Sequence, residues 1–213
     1  ITSELTGKPS PVPALKEQNI PNYGVKEAAF PFNMFQEVDP VLGPEMRSTG
    51  EVLGLSPYWG EAFYKAQEGI QSKLPLEGKV LISVSDKDKA EVVEVAKAFE
   101  ENGFKILASK NTCKLLTDNG IKAEEVKKLK EGRPNMMDII LNGEVDLIIN
   151  TPIGSERQAD DSYLRKAAIK KKIPYMTTIA AAKATISGIS TIKKKGNCEV
   201  KSLQELHSEI SDK

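Results

Sequence analysis

From residue 78 onward, apolar positions alternate between two patterns: short continuous runs, and longer stretches with apolar side chains three or four apart. KVLISVS, FKILAS, VDLIIN and the brief IPYMT are apolar, β-branched runs of strand length. Between them, AEVVEVAKAFEENG predicts a helix ending at Gly103, and CKLLTDNG a short one ending at Gly120. NMMDIILNG predicts a helix started by Pro134 in its first turn, and DSYLRKAAIKKK another after the third strand. AAAKATISG and SLQELHSEI add two more, the latter with Ser202 and Glu205 at capping-box spacing. Strands apolar along their whole length, alternating with helices, predict an α/β fold: a parallel sheet with helices on both faces.

The part before Leu76 is patterned differently. It holds nine of the twelve prolines and eight of the twelve Phe, Tyr and Trp residues, which predicts a boundary between residues 73 and 78. KPSPVPA resists both helix and sheet and reads as a connector. KEAAFPFNMF clusters apolar side chains without a clear period, and GEAFYKAQEGI has helical spacing at Ala62, Phe63, Ala66 and Ile70. Residues 38–52, VDPVLGPEMRSTGEV, combine prolines, glycines, carboxylates and Arg47 in an aperiodic run, which reads as a fixed loop feeding a short strand. That is too little regular structure to close a core alone. Residues 1–76 are therefore expected to be the tail of a larger domain, with exposed Phe30, Phe32 and Trp59 at its seam.

Composition narrows the function classes. Thirty basic residues balance thirty acidic ones, so neither nucleic acid nor a membrane surface is favoured as a partner. Cys113 and Cys198 are far apart, and His207 is the single histidine, so neither a disulfide framework nor a metal site is expected. No apolar run approaches the roughly 18 residues of a membrane span, and a cytoplasmic location is expected. The first residue is Ile1, and the expectation is a piece of something longer.

Ligands of an open parallel sheet gather at the carboxyl ends of its strands. The first strand ends in Ser83, Ser85 and Asp86, and the second in Ser109, Lys110, Asn111 and Thr112. The third ends in Asn150 and Thr151, and the fourth in Thr177 and Thr178. Hydroxyl- and amide-rich turns that open helices aim donors at one rim, which suits a phosphate or carboxylate; Lys89 and Lys128 add positive charge. The same side chains also serve as helix caps. Catalysis finds less support. His207 has no relay partner, and Asp160 with Asp161 reads as a charge-favoured helix start more than as a catalytic pair. Lys170 to Lys172 and Lys193 to Lys195 read as solvated basic runs. No catalytic residue is assigned.

The wording of VKEAAFPFNMF and VDPVLGPEMRSTGEV closely resembles the end of an ATP-grasp synthetase domain in the large chain of glutamine-dependent carbamoyl-phosphate synthase. Residues 77–213 resemble the C-terminal allosteric domain of that large chain, which has the methylglyoxal-synthase-like fold. The resemblance implies a nucleotide monophosphate effector, uridylate as inhibitor or inosinate as activator. Its motifs fall on Ser83 and Lys89 of SVSDKDK, Ser109 and Thr112 of ASKNT, Lys128 of KLKEGRP, and Asn150 with Thr151 of INTP. Relatives usually read Thr-x-Gly-Thr at the second turn; here Asn111 replaces the glycine, which puts close approach of backbone to phosphate in question. An ornithine site of some bacterial members maps to Glu27, Tyr175 and Thr177. The resemblance further implies ATP with Mg or Mn upstream of this segment, none of them bound within it. It implies the rest of the large chain and a glutaminase small chain as partners, and is compatible with a homo-oligomer.

Three rivals follow from the same fold. Methylglyoxal synthase needs a Gly-Gly-Asp motif, and the corresponding EGRPNMMD lacks it. The inosinate cyclohydrolase domain of purine synthesis shares an ISVSDK-like start but expects a histidine motif that is missing here. A freestanding nucleotide sensor would have no use for residues 1–76.

Overall fold

A computed structural model describes residues 5–7, 17–34, 44–151 and 158–212. The KPSPVPA run and residues 38–43 of the predicted loop lie outside the described residues. Packing divides the protein into two compact units. The smaller, made of residues 1–22 and 199–213, pairs β1 (Gln18–Asn19) antiparallel with β9 (Ser211–Asp212) and carries α7 (Leu203–Ser208). The Ser202 hydroxyl accepts from the Glu205 amide and the Glu205 carboxylate from the Ser202 amide, the capping box that the sequence predicts.

The larger unit, Tyr23–Cys198, opens with a hairpin, whose second strand is the short one that the 38–52 loop is expected to feed and whose first strand the sequence pattern does not announce. β2 (Tyr23–Ala29) pairs antiparallel with β3 (Gly50–Ser56) along seven residues, Tyr23 opposite Ser56 and Ala29 opposite Gly50. Small residues and single charges blur the period-2 alternation here. Phe30 and Phe32, expected to be exposed, are half-buried and stack on each other at 5.2 Å. Trp59 is 41% exposed and opens α1 (Trp59–Gly69), stacking on Phe63 at 5.7 Å. Helix α1 lies against the hairpin because β3 offers Gly54: a Cβ there would meet the Ala62 carbonyl oxygen at 2.0 Å.

Five parallel strands follow: β4 (Lys79–Ser83), β5 (Lys105–Ser109), β6 (Ala123–Val126), β7 (Leu147–Asn150) and β8 (Tyr175–Met176). Their order across the sheet is β6-β5-β4-β7-β8. Four of them stand where the apolar runs predict. The fifth, β6, with sequence AEEV, is at the sheet edge, where exposed Glu124 and Glu125 interrupt the apolar run that marks a covered strand. The α/β architecture itself is as the apolar runs imply. Within β4, Val80 and Ile82 face one core layer and Leu81 the other; Ile148 faces opposite to Leu147 and Ile149 in β7. Both faces are therefore covered, so the strands read as continuously apolar.

Helices α2 (Lys89–Glu101), α3 (Lys110–Asp118) and α6 (Ile179–Lys195) supply the first layer. Helices α4 (Met136–Asn142) and α5 (Gln158–Lys171) supply the second. Helix α6 extends past the predicted AAAKATISG segment to Lys195, running through Gly188, where α1 comes close. A Cβ on Gly60 would sit 2.7 Å from the Ser187 carbonyl oxygen, so this glycine lets the helices approach closely. Under the crossing, Glu61 is fully buried and accepts from the Ser56 hydroxyl at 2.9 Å. Lys195 reaches it at 2.6 Å and Lys65 at 3.2 Å.

Candidate functional site

From β4 the backbone leaves toward β5 and β6 on one side, then returns to place β7 and β8 on the other. The crevice between the carboxyl ends of β4 and β7 is thus the switch point at which ligands of such sheets bind. Ser83 and Asn150 are register partners there, and the Thr151 amide donates to the Ser83 carbonyl at 3.0 Å. One step beyond, the Ser85 amide donates to the Thr151 hydroxyl at 2.8 Å, and the Ser85 hydroxyl to Asp88 at 2.5 Å. Burial pushes the Asp88 carboxyl up, but hydrogen bonds from Ser85 and Thr151 and the nearby Lys87 charge together hold it below the usual carboxylate range.

Of the seven rim residues implied for an effector, Ser83, Lys128 and Asn150 line one pocket of about 40 Å³. Lys128 gets there because the edge strand β6 ends at Val126 and turns back over the rim, its amide donating to Glu131 at 2.8 Å. Thr151 is buried beside Ser83 and spends its hydroxyl on Ser85. Ser109 and Thr112 are buried at the end of β5, where the Ser109 hydroxyl donates to Thr112 at 3.1 Å. Lys89 is outside the lining of this pocket, with its ammonium 2.6 Å from Asp86.

The second turn does not call for the glycine that relatives carry there. Lys110 is already the first residue of α3, and Asn111 follows inside that helix. Asn111 is not among the residues of positive φ, so this turn needs no left-handed residue. Its donors are the free amides of a helix start.

Two residues that the sequence offers as a charge-favoured helix start more than as a catalytic pair belong to this pocket. Asp160 and Asp161, in the first turn of α5, complete its lining with Leu129, Met136 and Leu164. Asp161 accepts from the Asn150 amide at 2.9 Å, and Asp160 pairs with Lys130 at 3.2 Å. Spacing alone did not announce this, since eleven residues separate Asn150 from Asp161; only the return of α5 over the sheet joins them. The Asn150 amide also donates to the Tyr175 hydroxyl at 2.7 Å. Burial pushes that hydroxyl up to about 12, while the Asn150 hydrogen bond pulls the other way.

The three residues implied for ornithine do not share one cavity. Tyr175 and Thr177 line a cleft of about 350 Å³ with Phe30, Phe32, Arg165 and Lys172. Glu27 is outside that lining: on β2 it accepts from the Gln67 side chain at 3.2 Å, and burial pushes its carboxyl up. Among the described residues, no three His, Cys, Asp or Glu side chains are grouped to hold a metal. No helix among them is long and apolar enough to cross a membrane.

Residues 91–177 match the family model of the MGS-like domain. The C-terminal section of a carbamoyl phosphate synthase large chain from Aquifex aeolicus is 46% identical over 91% of this protein and 36% of its own length. The corresponding section from Methanopyrus kandleri is 48% identical over 86% of this protein and 34% of its own length. The present sequence thus spans about a third of the length of these curated relatives. A methylglyoxal synthase crystal structure from Elizabethkingia anophelis aligns with a TM-score of 0.44 at 18% identity, over 54% of this protein and 80% of that one.

Proposed function

We propose that this protein, which carries an MGS-like domain and is similar over 91% of its length to the C-terminal section of a carbamoyl phosphate synthase large chain, is the regulatory part of such an enzyme. Residues 1–76 are then the end of an ATP-grasp synthetase unit, and residues 77–213 the allosteric domain. The ligand is a nucleotide monophosphate, uridylate or inosinate, whose phosphate enters at the β4–β7 crevice. The observation that carries this reading is the convergence of Ser83, Lys128 and Asn150, from three separate elements, on one pocket at the switch point.

In the whole enzyme, the reaction so regulated is ATP-dependent synthesis of carbamoyl phosphate from bicarbonate and ammonia supplied by a glutaminase partner. ATP and its metal bind upstream of this segment, whose own part is effector binding and signalling. A nucleotide can act at a distance only if the enzyme's two states bind it with different affinity. Ornithine is proposed as a second effector at the cleft of Tyr175 and Thr177, where Arg165 and Lys172 suit its carboxylate.

Calorimetric titration of the protein with uridylate and inosinate tests the main reading. Saturable one-to-one binding of either nucleotide, with no binding of the parent nucleoside, is expected. Absence of binding by both nucleotides overturns it. Assay for methylglyoxal formation from dihydroxyacetone phosphate separates the rival lyase, and turnover there would displace the regulatory reading.

A further inference from the structure

The pocket at the switch point is smaller, and more acidic, than a nucleotide site should be. Its volume of about 40 Å³ is far below the roughly 300–1,000 Å³ of small-molecule sites. Among the described residues, one lysine of its lining, Lys128, stands against two carboxylates, Asp160 and Asp161. A phosphate brought to Ser83, Lys128 and Asn150 would meet both at close range, in a setting where the surrounding protein strengthens repulsion over its value in water.

The carboxylates are held as an anion there would be. Asp161 takes a hydrogen bond from Asn150, the side chain assigned to the effector, at 2.9 Å. Asp160 takes an ion pair from Lys130, two residues beyond Lys128, at 3.2 Å. Both lie in the first turn of α5, a helix of fourteen residues whose positive end favours negative charge, whether carboxylate or phosphate. The Asn150 amide and the Lys130 ammonium are thus each already engaged by a carboxylate of the protein itself.

Building on the proposed effector reading, we infer that Asp160 and Asp161 are resident competitors of the effector phosphate. They occupy the anion position at the β4–β7 crevice, and the nucleotide binds by displacing them from Asn150 and Lys130. Effector affinity is therefore set by the balance between these carboxylates and the phosphate, and lowering their charge strengthens binding.

The probes are inorganic phosphate and uridylate, titrated calorimetrically into the 213-residue protein and into D160N/D161N. Asp118→Asn is the control: it changes net charge in the same sense, at the far end of α3. Expected are affinities at least about tenfold higher for both probes in D160N/D161N, with no change in Asp118→Asn. Asp160→Asn alone leaves the Asn150–Asp161 hydrogen bond in place and is expected to give a smaller gain, about threefold; it decides the matter should the double variant fail to fold. Equal or weaker binding by the variants, with wild type binding normally, overturns this inference and leaves the effector reading standing. A gain matched by Asp118→Asn also overturns it, since the effect would then be one of overall charge. Failure of wild type and all variants to bind either probe overturns both.

Discussion

Asn150 gives its side-chain amide to the Tyr175 hydroxyl at 2.7 Å, so one residue lines the switch-point pocket while its partner lines the larger cleft. The same amide serves Asp161. One hydrogen-bonded pair of side chains thus joins the linings of the two cavities.

Replacing Tyr175 by Phe removes the acceptor and leaves part of the Asn150 amide without its partner. The expected cost is about 1 kcal/mol, or a fall in melting temperature of roughly 2–4 °C for a protein of this size. The pH dependence carries a distinct sign. Burial pushes Tyr175 up to about 12 from its ordinary 10, so the folded state holds this proton more tightly than the unfolded state does. The stability it contributes is fully present below pH 10 and is lost as pH rises toward about 12. The difference in melting temperature between wild type and Tyr175→Phe should therefore shrink across that window; a difference that stays constant would show that the hydroxyl does not titrate there.

Glu61 joins β3, α1 and the last turn of α6, and its full burial makes it dependent on its partners. Lys195→Ala removes the closer ammonium, while Lys65 and Ser56 remain. A loss of about 2 kcal/mol is expected, below the roughly 3–5 kcal/mol for stripping a buried charge of its only partner. Denaturant unfolding measures it. In the double variant Glu61→Gln/Lys195→Ala, part of that loss should be recovered relative to Lys195→Ala alone, since the buried carboxylate left with one ammonium is gone, at the cost of the Lys65 ion pair.

Gly54 is required by contact distance. The Cβ of Gly54→Ala would lie 2.0 Å from the Ala62 carbonyl oxygen and 2.8 Å from the Ala66 nitrogen, both helix backbone that does not yield as a side chain does. The expected destabilisation is about 3 kcal/mol. Gly50→Ala, at the other end of the same strand, meets nothing within 4 Å and should change stability little. Melting curves of the two variants compare the positions directly.

The parallel sheet was legible because KVLISVS, FKILAS and VDLIIN carry the signature of strands covered on both faces, and the glycines at 103 and 120 close their helices. Of the β2–β3 hairpin only the short strand after the 38–52 loop was legible; its pairing with β2 was not, since the stabilising partner is α1, and the key residue, Gly54, is chosen by a contact eight residues away in sequence. The edge strand β6 was hidden by Glu124 and Glu125, which protect an unpaired edge and at the same time erase the apolar pattern. Ser83 and Asn150 could be placed at the rim because both end strands. Asp160 and Asp161 could not be assigned, because their place at the rim depends on how α5 packs over the sheet. The two lysines were indistinguishable in sequence, and only their neighbours separate them.

Lys89 has an aspartate beside it in the preceding turn, and its ammonium rests 2.6 Å from Asp86, outside the pocket. Lys128 is half-buried and lines the pocket together with Ser83 and Asn150. A hydrogen bond between charged groups contributes roughly 1.5–3 kcal/mol, equivalent to about ten- to a hundredfold in affinity. Lys128→Ala should therefore weaken uridylate binding by about that factor, whereas Lys89→Ala should change it by no more than about threefold. Salt provides a second readout: removing one cation that meets the phosphate should flatten the dependence of affinity on ionic strength for Lys128→Ala alone. The reverse order of the two variants in titration would move the phosphate away from the β4–β7 crevice and toward the start of α2.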